Sequence, residues 1–312
     1  MRAVTLESVP SAPAVTEVDT PRPESGELLV KVAAASLNGI DIATAAGYTQ
    51  TFMEHRFPLV LGQDFAGTVE ALGEGVEGFA AGDAVFGVVL KPFLGAGALA
   101  QYVTVAAGHG VARIPAGLTA GDAGALGVAG ATAVASLDVV ALGEGETLLI
   151  SGASGGVGAL AVQLAAARGA KVIATARPGT QTDFVTGLTG AEVHVVDFTG
   201  DLEGQVRAIA PEGVDTVLHL AGDGAALAGL LRPGGQLASA TGLTQDAVKG
   251  HDVTVHTIMA DPDAKILASL AEQVVSGALR VPVTATYPLE KAPEAFAAFG
   301  ASTPGKIAVS CS

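Results

Sequence analysis

Thr147-Leu148-Leu149-Ile150-Ser151-Gly152-Ala153-Ser154-Gly155-Gly156-Val157-Gly158 is the stretch on which the architecture turns. Residues 147–150 form a short apolar run of strand length. The glycine-rich segment after it leads directly into residues 156–168, whose apolar positions recur at helical spacing. A strand, a glycine turn and a helix in that order make a phosphate-binding unit. Gly155 lets the backbone approach a pyrophosphate with no side chain in the way, and Gly158 lets the helix pack closely on the strand. The helix N-terminus then presents free N–H groups and the positive end of its dipole to the phosphates. The usual Gly-x-Gly-x-x-Gly pattern has Ala153 in its first place here. The expected phosphate contacts are Ala153, Ser154, Gly155, Gly156, Val157 and Gly158. The alternative, a tight turn with no ligand, is weakened by the strand, the helix and the strand that follows.

Downstream, residues 171–176 form the next β-rich run, which leads through Ala174-Thr175-Ala176 to Arg177. Sites for NAD usually place Asp or Glu about 20 residues after the last glycine, where it accepts from a ribose hydroxyl. Arg177 occupies that position. A carboxylate there would repel a 2′-phosphate, whereas a guanidinium can bind it through two parallel bonds. NADPH is therefore expected over NADH. Residues 193–196, 214–220, 236–240 and 253–258 supply further strands, and 225–231 has a helical pattern. Six strands, some with helices between them, describe an open parallel sheet of the α/β class.

Upstream the rhythm differs. Short apolar runs at 27–32, 65–71, 83–89, 99–105 and 110–114 are cut by turn signals such as Pro21-Arg22-Pro23 and Gly73-Glu74-Gly75. This spacing predicts a small β-barrel or sandwich-like domain. Towards the C-terminus, Ile266, Leu267, Leu270, Val274 and Ala278 form the stripe of an amphipathic helix. Short strands at 281–287 and 306–309 are expected to return to the first domain. The domains are thus placed at 1–117, 118–260 and 261–312, the last rejoining the first.

Composition bounds the rest. The chain has 312 residues, 49% of them apolar and 15% charged, with a mean hydropathy of +0.50. These values predict about two globular domains. No apolar run approaches the roughly 18 residues of a membrane span, and the start, Met1-Arg2-Ala3-Val4-Thr5-Leu6-Glu7, lacks a signal-peptide core. A cytoplasmic protein with no membrane partner is expected. The net charge of −15, from 31 acidic and 16 basic residues, argues against nucleic acid as a partner. Cys311 is the one cysteine, so neither an internal disulfide nor a thiolate zinc cage is available.

Several segments together resemble the medium-chain dehydrogenase/reductase superfamily. They include Phe57-Pro58-Leu59-Val60-Leu61-Gly62-Gln63-Asp64-Phe65-Ala66-Gly67-Thr68-Val69, Gly82-Asp83-Ala84-Val85, Gly130-Ala131-Thr132-Ala133 and the block 145–172. Leu231-Arg232-Pro233-Gly234-Gly235 and Gly305-Lys306-Ile307 fit as well, so the likeness covers nearly the whole chain in order. Zinc alcohol dehydrogenases carry Cys near the position of Asn38, a His-Glu pair near Gln63-Asp64, and often a four-cysteine loop. Amide side chains are poor zinc ligands. The chain is therefore similar to the zinc-independent quinone oxidoreductase branch, the zeta-crystallin-like proteins.

The resemblance implies a Rossmann doubly wound parallel sheet plus a GroES-like β-barrel catalytic domain, and a homodimer formed through the Rossmann sheets. It also implies hydride transfer from NADPH to a small conjugated carbonyl substrate, a quinone or an enone. Without zinc, a simple alcohol lacks anything to stabilise its alkoxide. A conjugated acceptor spreads the incoming charge, so modest hydrogen bonds suffice at its oxygen. Carried over by position, Asn38 and Thr132 would lie by the nicotinamide and substrate, with Tyr48 as the candidate proton donor. Phe198, Ala221 and Lys306 would join Arg177 in holding the cofactor, and Gln63 and Asp64 would brace the former metal pocket. The chain departs from the branch in Asn38-Gly39-Ile40-Asp41, which usually reads Asn-Pro-x-Asp, in Ala43 where a tyrosine is common, and in His219, where an Asp often ends the fourth Rossmann strand. An enoyl-thioester reductase and a non-catalytic NADPH-binding protein are the alternative readings.

Overall fold

The apolar runs read from the sequence become strands of three sheets. The structure, a computed structural model that describes residues 1–311, divides into two units: Met1–Ala129 with the stretch from Pro262 onward, and Gly130–Asp261. The first unit begins with β1 (Arg2–Leu6), β2 (Ala14–Glu17), β3 (Glu27–Ser36), α1 (Gly39–Ala45), β4 (Glu54–Val60) and β5 (Asp64–Leu72). β6 (Ala84–Val88), β7 (Phe93–Ala96), β8 (Tyr102–Ala106), β9 (Val111–Arg113), α2 (Ala120–Ala123) and the start of α3 (Gly127–Val139) follow. Residues 118–129 side with this unit, so the boundary falls at 129 and not at 117. α2 packs on β3 and β5, and the Val128 N–H donates to the Asp64 carboxylate at 2.7 Å.

The second unit holds β10 (Thr147–Ser151), α4 (Gly156–Ala167), β11 (Lys171–Thr175), α5 (Thr180–Thr186), β12 (Val193–Val196), α6 (Leu202–Ile209), β13 (Val214–His219), α7 (Gly224–Ala228), β14 (Leu231–Ser239) and β15 (Val253–Thr257). Its six strands lie in the order β12-β11-β10-β13-β14-β15, with every pair parallel. This is the expected doubly wound Rossmann sheet, reversing direction between β10 and β13. Leu148, Leu149, Ile150, Ile173, Val217 and Leu237 are all at most 1% exposed. Strands covered on both faces read as unbroken apolar runs, which is why these were visible in the sequence. β15 is the outer strand, and the side chain of Gln245 lies along it. Gln245 Oε1 accepts from the Val255 N–H at 2.8 Å, and its Nε2 donates to the Val253 carbonyl at 2.9 Å.

The chain then returns to the first unit through α8 (Ala264–Val275), β16 (Val283–Pro288), α9 (Ala292–Gly300) and β17 (Lys306–Ser310). One sheet there runs β16-β17-β3-β5-β6-β9 with β8 also paired to β3, and a smaller one runs β2-β1-β4-β7. Val30, Leu37, Phe65, Val69, Val85, Ile307 and Val309 are buried together at its core. β3 extends four residues beyond the predicted 27–32, through Ala33-Ala34-Ala35-Ser36. Alanine has little intrinsic strand preference, but here β17 and β5 flank this stretch in the sheet. After β17, the Cys311 N–H donates to the Ala33 carbonyl at 3.0 Å. The Cys311 thiol is buried, and desolvation pushes its pKa up to about 12. Among the described residues, no helix is long and apolar enough to cross a membrane.

Candidate functional site

The phosphate loop sits at the reversal point of the parallel sheet. β10 delivers Ser151, whose Oγ accepts from the Leu220 N–H beyond β13 at 3.1 Å. Gly152 has φ +74°, a left-handed conformation that favours glycine, and its N–H donates to Thr175 Oγ1 at the end of β11 at 3.0 Å. The loop is thus tied to both neighbouring strands. A Cβ on Gly158 would lie 2.3 Å from the Gly152 carbonyl oxygen and 2.6 Å from Ala153 Cα, so only glycine lets α4 seat on the loop. At Gly155, which caps α4, a Cβ would meet nothing closer than 3.4 Å. Ala153 and Gly158 are buried, Ser154, Gly156 and Val157 are half-buried, and Gly155 is exposed. The anchoring residues face inward, while the first turn of the helix is open to a ligand. That arrangement suits a diphosphate.

Past the ends of the neighbouring strands, Arg177 and Phe198 come together. The guanidinium carbon lies over the Phe198 ring, 5.5 Å from its centroid, and the ring is 42% exposed. This is a cation–π contact on an open surface. Ala221 is exposed, and its Cβ lies 3.1 Å from where a side chain on Gly152 would begin, which places it beside the phosphate loop. His219 is buried beneath: Nδ1 lies 3.1 Å from Ser239 Oγ, and Nε2 lies 3.1 Å from the Gly222 carbonyl oxygen. Both ring nitrogens are engaged, so this histidine pins the turn that carries Ala221.

The first unit gathers a separate polar cluster around Asn38. Asn38 caps α1, and its N–H donates to Asp41 Oδ2 at 2.8 Å, one half of a capping box. Its side chain turns elsewhere: Nδ2 donates to Asp64 Oδ2 at 2.9 Å, and Oδ1 accepts from Lys306 Nζ at 2.7 Å. Asp64 is fully buried and also accepts from Ser36 Oγ at 2.6 Å. Lys306 completes its three bonds with the Leu37 carbonyl at 3.1 Å and Asp64 Oδ2 at 3.2 Å. Asp41, 2% exposed, accepts the Gly62 N–H at 3.0 Å. Burial, reinforced by the Asp64 charge, lifts the Asp41 carboxyl to about 7 against the pull of the Asn38 and Gly62 N–H groups and of Lys306. A cavity of about 30 Å³ lined by Asp41, Thr44, Gly62 and Gln63 adjoins it, with room for one or two waters.

These positions correct one expectation. Lys306 is not available to a cofactor, because it is 2% exposed and its three N–H donors are taken by oxygens of its own unit. The sequence also left Ser36 unmarked, since a serine at a strand end carries no signal of its own. Tyr48 opens a short 3₁₀ turn and is 74% exposed. Thr132 lies within α3, 8% exposed, with its carbonyl accepting from Ser136 Oγ at 2.7 Å. Gln63 is half-buried, and its carbonyl accepts from the Val89 N–H at 2.8 Å.

Comparison with known proteins adds independent findings. Residues 24–116 match the family model of the alcohol dehydrogenase GroES-like domain, and residues 180–309 match that of zinc-binding dehydrogenase. The chain is 36% identical over 211 residues to the chloroplast envelope quinone oxidoreductase homolog of Arabidopsis thaliana, spanning 66% of this chain and 62% of that protein. It is 30% identical over 302 residues to the quinone oxidoreductase of Lama guanicoe, covering 90% of this chain and 87% of that one. A mycocerosic acid synthase-like polyketide synthase of Mycobacterium tuberculosis is 35% identical over 301 residues, 90% of this chain but 14% of the synthase. Among solved structures, a mycobacterial protein in complex with NADPH superposes with a TM-score of 0.88 at 27% identity, over 99% of this chain and 100% of that one.

Proposed function

The chain belongs to the quinone oxidoreductase branch of the medium-chain dehydrogenase/reductase superfamily, and on that ground we propose that it is an NADPH-dependent oxidoreductase passing hydride to a quinone or other α,β-unsaturated carbonyl without zinc. The observation that carries this reading is the open phosphate loop at the sheet's reversal point, with Arg177 stacked on Phe198 past the neighbouring strand ends. NADPH, when bound, supplies the hydride. Residues 153–158 and Ala221 would hold its diphosphate, and Arg177 its 2′-phosphate, with Phe198 as an apolar base for the adenosine. Asn38 and Thr132 would orient the nicotinamide and the acceptor, and Tyr48 would supply the proton. The NADPH held by the mycobacterial neighbour supports this choice of cofactor.

Zinc does not fit the residues present. The Lys306 ammonium takes the Asn38 carbonyl oxygen and shares the Asp64 carboxylate, so two of the side chains that the resemblance matches to zinc ligands already serve a buried cation. Acceptors whose π-system spreads charge are the ones that hydrogen bonds alone can activate. A second reading, an enoyl-thioester reductase, is favoured by the match to the polyketide synthase along 90% of this chain. The proposed assembly is a homodimer, and the proposed location is the cytoplasm.

A panel tests these readings: oxidation of NADPH, followed at its nicotinamide absorbance, with a quinone, an enone and an enoyl thioester. Turnover of the quinone or enone is the expected result. Preference for the thioester favours the second reading. NADPH binding with no turnover on any of the three leaves a binding protein, and absence of binding overturns the proposal.

A further inference from the structure

We propose that Lys306 and Asp64 are positioning residues that lock the Asn38 amide in one orientation, so that it offers a ligand an N–H and never its carbonyl. The inference rests on the placement of Asn38 beside the substrate given above. An asparagine side chain is nearly symmetric in shape, and rotation by half a turn exchanges its oxygen and nitrogen. Two neutral neighbours with flexible roles would tolerate either state. Here the neighbours have fixed roles. An ammonium can only donate, and Lys306 Nζ lies 2.7 Å from Asn38 Oδ1. The Asp64 carboxylate is an acceptor for four converging donors: Ser36 Oγ, Asn38 Nδ2, Lys306 Nζ and the Val128 N–H. Turning the amide over would set its N–H groups against the ammonium and its oxygen against the carboxylate, in a site where Lys306 and Asp64 are 2% and 0% exposed. Little water is at hand to screen that loss.

The lock also directs the one donor left over. Lys306 has spent its three hydrogens on Leu37, Asn38 and Asp64. Asn38 Nδ2 has spent one of two on Asp64, and the second has no partner among the described residues. Asn38 is 7% exposed, and this hydrogen is the donor its amide has left for a ligand. An amide N–H can only donate, so what meets it must be a hydrogen-bond acceptor. The group recognised is thus an acceptor that gains negative charge during reaction, such as the carbonyl oxygen of a quinone or enone as hydride arrives.

Asn38 is the only asparagine in the chain, so labelling with side-chain ¹⁵N-asparagine yields one NH₂ pair in a proton–nitrogen spectrum. In the unaltered protein, the hydrogen on Asp64 is expected to exchange with deuterium at least about tenfold more slowly than its twin. Two hydrogens exchanging alike, at the rate of free asparagine, would overturn the proposal whatever the enzyme's activity. The double variant Lys306→Met/Asp64→Leu replaces the ion pair by apolar groups, a change that buried pairs often tolerate. It is expected to fold, to lose the exchange difference and to lose about tenfold or more in kcat, with the KM for NADPH unchanged. A folded double variant with undiminished kcat sinks the inference. If the unaltered protein reduces none of the acceptors, the proposed reaction fails, and the exchange measurement still decides the lock.

Discussion

Arg177 is exposed, and nothing but the Phe198 ring meets its guanidinium among the contacts described. A charge-assisted bond to phosphate contributes about 1.5–3 kcal/mol, which is roughly a 10–100-fold change in affinity. Arg177→Ala should weaken NADPH binding by that factor and NADH binding hardly at all, as read by nicotinamide fluorescence titration. Asp41 makes a prediction of opposite kind. Its carboxyl titrates near 7 in the folded protein against an ordinary value of 3.8. The folded state therefore keeps a proton that the unfolded chain releases, and stability falls as pH rises from about 4 to about 7. Asp41→Asn removes that slope, so the stabilities of the two proteins should diverge steadily as pH rises through the window, measured by urea unfolding at several pH values. Arg177 was legible because its meaning is local, a fixed distance past a glycine turn. The role of Lys306 was not, because its partner Asp64 lies 242 residues away along the chain and only the closing of the sheet joins them.

At the scale of elements, the phosphate unit was read nearly residue for residue, since β10, the loop and α4 follow one another without interruption. Its weak point is the contact between helix and loop. Gly158→Ala puts a methyl against the Gly152 carbonyl, and such overpacking costs about 1–3 kcal/mol. A lower midpoint in urea unfolding, together with weaker NADPH binding, is the expected outcome. Helix α3 went unseen for the opposite reason. It is buried over most of its surface, with Ala129, Ala131, Ala133 and Leu137 all at most 1% exposed. A helix covered on nearly all sides shows no polar face and hence no 3.6-residue stripe to read. α1 was missed because it is short, with Asn38 and Asp41 marking its start more clearly than any periodicity marks its body.

For the molecule as a whole, the α/β class and the parallel sheet were legible, since apolar runs and glycine turns alternate in the order a doubly wound sheet requires. The homodimer through the Rossmann sheets came from the resemblance and not from any residue pattern, because an edge strand looks like any other until its free side is seen. That side of β15 is occupied by Gln245, which bonds the Val253 carbonyl and the Val255 N–H. Blocked edges resist pairing. If two copies meet along β15, sedimentation should show twice the 30.6 kDa of one chain. Gln245→Ala should then tighten the pair by about tenfold, two hydrogen bonds no longer having to be broken first. The buried end of β17 has a practical consequence of another sort. The single sulfhydryl at 311 follows the strand that begins with Lys306. An alkylating reagent can reach it only in molecules where the chain has opened at Cys311, so the pace of alkylation is a clock for opening at the end of β17, built into the protein without any engineered probe.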